Sequence, residues 1–80
     1  MLKLKFFTDP GHGWLEVPYE GIRPDVRNQI SSCSYYHNGM AYLEEDCDAP
    51  LYLNNLKEKP EFIEIFQENT PIRGYAPFRG

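Results

Sequence analysis

The amino-acid sequence predicts an α+β fold: a small, mainly antiparallel sheet of four to five strands with one main helix near residues 48–58 packed on one face. Three local patterns point to it. The amino-terminus alternates apolar and basic residues, Asn38-Gly39 sits between β-rich flanks, and Asp48-Ala49-Pro50 opens a run of apolar residues at helical spacing. A chain of 80 residues holds one core, because domains of this size bury only about 60 to 65% of their unfolded surface. With 41% hydrophobic and 15% aromatic residues, it is too apolar to remain disordered.

Leu2, Leu4 and Phe6 alternate with Lys3, Lys5 and Phe7, the period of a half-buried strand, and Asp9-Pro10-Gly11 breaks the run. Gly13 to Val17 reads as a second short strand closed by Pro18, which lacks the donor a central ladder needs. Pro-Gly-His-Gly would join the two as a hairpin. Between Tyr19 and Ile30, Gly21 and Pro24 oppose a continuous helix, and Pro24 suits the first position of a short one, so the segment reads as a short helix or an irregular loop. Asn38-Gly39 supplies both positive-φ residues of a type I′ turn, which sets Tyr36 opposite Ala41 and Tyr35 opposite Tyr42. Asp48 is the expected helix cap with Pro50 in the first turn, followed by Ala49, Tyr52, Leu53 and Leu56 on one face and a stop at Pro60. Residues 61–68 fit strand and helix alike. A strand is preferred because the run is short, follows a proline and returns the chain to the sheet. Residues 1–70 then form the single domain and residues 71–80 an extended carboxyl-terminal tail.

The net charge of −4 is unevenly spread. Between residues 40 and 70 lie Glu44, Glu45, Asp46, Asp48, Glu58, Glu61, Glu64 and Glu68 against Lys57 and Lys59, a local excess of −6, while the remainder carries +2. Such a field repels nucleic-acid phosphates and steers a basic partner. Two cysteines are too few for a disulfide framework and the amino-terminus lacks a signal-peptide pattern, so a reducing cytoplasm is the expected setting. No apolar run is long enough for a transmembrane helix.

The pattern Gly11-His12-Gly13-Trp14-Leu15-Glu16-Val17-Pro18, then Ser34-Tyr35, then Tyr42-Leu43-Glu44-Glu45-Asp46-Cys47-Asp48-Ala49-Pro50-Leu51, then Ile72-Arg73-Gly74-Tyr75, resembles a family of small uncharacterised proteins encoded by phages, prophages and other mobile elements. The resemblance spans residues 11–75 and implies a genetic setting without an active site. Gly21 and Pro24 depart from the smoother helix of that family after its Val-Pro step. Short acidic accessory proteins in such a setting often act stoichiometrically on a host protein.

Candidate chemistry is thin. The run Glu44 to Asp48 offers carboxylates that suit calcium or magnesium, yet lacks a glycine-centred loop of alternating ligands, and a strand end leading into a helix cap explains it better. Cys33, Cys47, His12 and His37 have no Cys-x2-Cys or His-x3-His spacing to pre-organise zinc. Cys33 and His37 would lie on one side of one strand, about 13 Å apart and too far for proton transfer. Cys47 beside carboxylates is a poor nucleophile, and the Gly11-His12-Gly13 turn lacks a phosphate-cradling pattern. No catalytic residue, metal or cofactor is expected.

The expected function is therefore non-catalytic: binding and modulating a protein partner with a basic surface, as an inhibitor of a host defence or nucleic-acid enzyme would. The acidic residues named above form one candidate surface. Arg73, Tyr75, Phe78 and Arg79 form a second, with the alternative that the tail packs back over its own sheet. A structural, homo-oligomerising accessory or virion protein is the alternative function. A small nucleic-acid-binding module is the third and is disfavoured by the acidic segment.

Overall fold

The computed structural model describes residues 2–79. Six strands form one mixed sheet: β1 (Lys3–Thr8), β2 (Gly13–Pro18), β3 (Tyr35–His37), β4 (Met40–Glu44), β5 (Glu61–Phe66) and β6 (Ala76–Pro77), in the spatial order β5-β1-β2-β4-β3-β6. The helices are short, α1 (Pro24–Arg27) and α2 (Ala49–Asn54), and 3-10 turns occupy Tyr19–Gly21 and Pro71–Gly74. None of these helices is long and apolar enough to cross a membrane.

Local chemistry accounts for the hairpins. Asp9 Oδ1 accepts the backbone N–H groups of Gly11 and His12 at 2.9 and 2.8 Å, closing the β1–β2 loop as an Asx-type turn. Asn38 and Gly39 take φ of 50° and 80°, and the type I′ turn they make pairs Tyr36 with Ala41 and Tyr35 with Tyr42, as the sequence predicts. Pro24 stands at the start of α1, where its missing N–H costs nothing.

The fold class is α+β, with two corrections to the finer expectation. The sheet has six strands rather than four to five, because the predicted tail supplies β6, antiparallel to β3. Five of its strands are linked by antiparallel pairing, but β5 lies parallel to β1. Geometry requires this. Strand β4 is antiparallel to β2 and β2 to β1, so β4 and β1 run the same way. The α2 crossover brings the chain back to the end where β4 began, and β5 repeats that direction.

The main helix spans Ala49–Asn54 rather than 48–58. Asn54-Asn55 favours termination, and Asp48 does not cap the helix. Its backbone is already in the right-handed helical region (φ −105°, ψ −24°), not the extended conformation from which a cap reaches the next N–H groups. The carboxylate instead accepts hydrogen bonds from Ser31 N (3.1 Å), Ser31 Oγ (2.8 Å) and Ser34 Oγ (2.5 Å).

The sheet buries both faces, so the central strand β2 is apolar at both parities. Leu15 and Val17 face α1 and α2 together with Leu4, Leu43, Ile22 and Val26. Trp14 faces the other way and packs with Tyr42 and Ile72, fringed by Phe7, Tyr35, Met40 and Tyr75. Of the tyrosines, Tyr42 and Tyr52 are buried, and Tyr42 donates its hydroxyl to Glu16 at 2.9 Å. Gly13 allows Phe6 to cross close over β2, since a Cβ there would fall 2.8 Å from the Phe6 ring.

Candidate interaction surface

Strand β5 ends the sheet, and among the described residues its outer row of backbone N–H and C=O groups has no neighbouring strand. Its sequence Glu61-Phe62-Ile63-Glu64-Ile65-Phe66 is apolar at both parities, as in a buried strand, yet Phe62, Ile63 and Phe66 are 46%, 46% and 66% exposed. Registration with β1 sets Phe62, Glu64 and Phe66 on the helix side and Glu61, Ile63 and Ile65 on the other. Because α2 is short, it leaves an open groove of about 540 Å³ beside this edge. Phe6, Leu15, Leu53 and Phe62 line it, and Glu45 and Glu64 supply its carboxylates.

The acidic residues singled out in the sequence divide into two groups. Glu45, Asp46, Glu58, Glu61, Glu64 and Glu68 are exposed. Glu44 and Asp48 are buried and structural. Glu44 accepts the Asp46 N–H at 2.9 Å and donates its own backbone N–H to Ser34 Oγ at 3.1 Å, while Asp48 holds the two serines. An acid in a sequence run gives no sign of whether it faces water or a serine two elements away. The exposed apolar edge of β5 was missed for a related reason: the strand was legible, its place at the end of the sheet was not.

The tail residues are spent largely on the fold. Arg73 Nε donates to Asp9 Oδ2 at 2.9 Å, Arg73 Nη2 to Asp9 Oδ1 at 3.2 Å, and the guanidinium lies 5.4 Å from the Trp14 ring centre. This holds the Asp9 carboxyl well below the usual range, chiefly through the Arg73 hydrogen bond and further through the loop N–H groups. Tyr75 stacks on His37 with ring centres 4.0 Å apart. Phe78 is 3% exposed, in the helix-side core beside Tyr19, and its N–H donates to the Ser34 carbonyl. Arg79 lies at a solvent-facing groove, with Tyr19, Tyr36, Ala76 and Pro77.

A second pocket, of about 300 Å³, gathers His12, Trp14, Cys33, Tyr35, Glu44, Cys47 and Arg73 on the other face. Three of the residues weighed as zinc ligands meet there, but His37 is engaged by Tyr75, and among the described residues no three His, Cys, Asp or Glu side chains converge as a metal site. His12 Nδ1 lies 3.6 Å from Glu44 Oε2. Cys33 is not on a strand beside His37, because β3 begins at Tyr35 and Cys33 belongs to the turn before it. The chain matches no protein-family model, no curated protein and no solved structure.

Proposed function

We propose that the protein is a non-catalytic accessory protein that binds and modulates a protein partner through the β5 edge and the adjoining groove. The observation that carries this is an unpaired edge strand with exposed apolar side chains on both faces and glutamates between them. Natural sheets protect such edges with short strands, basic residues or covering loops. Here the edge is six residues long, and its charges are acidic. The chemistry fits a partner that adds an extended strand, with apolar side chains meeting Phe62, Ile63 and Phe66 and Lys or Arg meeting Glu45, Glu61 and Glu64. The mobile-element setting, and with it a host defence or nucleic-acid enzyme as target, rests on the sequence resemblance and the acidic field. An enzyme that binds phosphates offers the basic surface this edge would meet.

Affinity capture from the native host, with the intact protein and an Ile63→Lys/Glu64→Lys variant side by side, tests the reading. A basic protein retained by the natural chain, lost from the variant and weakened at least tenfold between low and high salt supports it. Equal retention of the same partner by both chains overturns the β5 assignment.

The same edge has one two-fold register in which its apolar residues meet apolar residues throughout. Antiparallel pairing about a two-fold axis normal to the sheet through Glu64 sets Phe62 against Phe66 and Ile63 against Ile65 of a second copy, but brings Glu64 against its own copy. Like charges directly opposed destabilise a strand pair. At neutral pH this favours a basic foreign strand over a second copy.

A further inference from the structure

Cys33 precedes β3 and Cys47 follows β4, so the two cysteines stand at the base of the Asn38-Gly39 hairpin. The two side chains line the same pocket, and both residues are exposed. Hydrogen bonds on either side hold their backbones together: Ser31 and Ser34, which flank Cys33, both donate to Asp48, the neighbour of Cys47. Ser34 Oγ also accepts the Glu44 N–H at 3.1 Å. The chain has no other cysteine. We propose that Cys33 and Cys47 are a reversible dithiol–disulfide pair, oxidised by a low-molecular-weight disulfide reaching the pocket.

The order of events follows from the surroundings. The Cys47 thiol is pushed up to about 11, first by the neighbouring Cys33 thiol, then by partial desolvation and by the negative charge of Cys33, Glu44 and Asp48. It keeps its proton while Cys33 reacts. The Cys33 thiolate attacks one sulfur of glutathione disulfide, forming a mixed disulfide and expelling one glutathione thiolate. Cys47 then loses its proton to solvent, attacks the Cys33 sulfur and expels the second glutathione. Two protein thiols are oxidised and one glutathione disulfide is reduced to two thiols. The product closes the loop from residue 33 to residue 47 and fastens the turn that carries Glu45 and Asp46 to the segment before β3.

The test uses the full chain, fully reduced and then equilibrated in glutathione redox buffer. The expected product is monomeric, has lost both titratable thiols, carries no glutathione and has a mass lower by two hydrogens. C33S and C47S each stop at a single glutathione adduct. The same equilibration in concentrated urea should favour the disulfide at least tenfold less, and the oxidised native protein should melt higher, on the order of 10 °C. Two surviving thiols, two glutathione adducts, a covalent dimer, or equal disulfide equilibria in native buffer and urea would each overturn the proposal.

Discussion

At the scale of single residues, two carboxylates do the work of holding distant segments together. Asp9 closes its own loop and binds Arg73 from the other end of the chain. Its carboxyl is held below the ordinary 3.8 by that arginine, so the native state binds its proton less readily than the unfolded chain. The resulting stability is present above about pH 4 and is lost as pH falls through the depressed native value. Asp9→Asn keeps an oxygen for the loop N–H groups but not the charge. The gap in Tm between natural chain and variant should therefore be widest near neutral pH and narrow steadily below about pH 4, and a pH-independent gap would remove this role. Asp48, read in the sequence as helix cap and binding residue, is buried against Ser31 and Ser34. Asp48→Ala should destabilise the fold by about 2–4 kcal/mol in denaturant unfolding, since it strands a buried Ser34 hydroxyl and removes charge-assisted bonds. Glu61→Gln should leave stability nearly unchanged.

At the scale of elements, β5 shows how a strand's meaning depends on its neighbours. Phe62, Ile63, Ile65 and Phe66 would be unremarkable in the middle of the sheet; at its end they form an adhesive edge tempered by Glu64. Removing the opposed charges should release the self-complementary register. Glu64→Thr is expected to shift the protein from monomer toward dimer in sedimentation or light scattering. A variant that stays monomeric at millimolar concentration would show that this edge does not self-pair. The Asn38-Gly39 hairpin is the opposite case: its turn chemistry is local, and its register was legible from two residues because each must adopt positive φ.

For the whole molecule, the carboxyl-terminal segment is a strap. Ile72 packs on the Trp14 face, Ala76–Pro77 extend the sheet beside β3, and Phe78 enters the core on the helix face. One short segment thus closes both cores around the β3 edge. A domain of this length has a total stability of about 4–12 kcal/mol, and a buried Phe→Ala change costs about 3–5 kcal/mol. Phe78→Ala should consequently lower the urea midpoint by about a quarter or more. Removal of residues 71–80 should leave a chain without a cooperative transition. A truncated protein that melts cooperatively near the natural Tm would show that the strap is dispensable and free to bind.

The sequence by itself determined what depends on near neighbours along the chain: the period-two strands, the Asn-Gly turn with its register and the uneven charge. Tertiary structure alone decided the rest. Whether Glu44 and Asp48 meet water or serines, whether β5 lies inside the sheet or at its edge, and whether the tail hangs free or closes two cores are questions of which surfaces meet across long sequence separations. The same residues suit either arrangement locally. What settles between them is the burial of Trp14, Ile72 and Phe78 on two faces of one sheet, a gain that exists only when the ends of the chain are brought together.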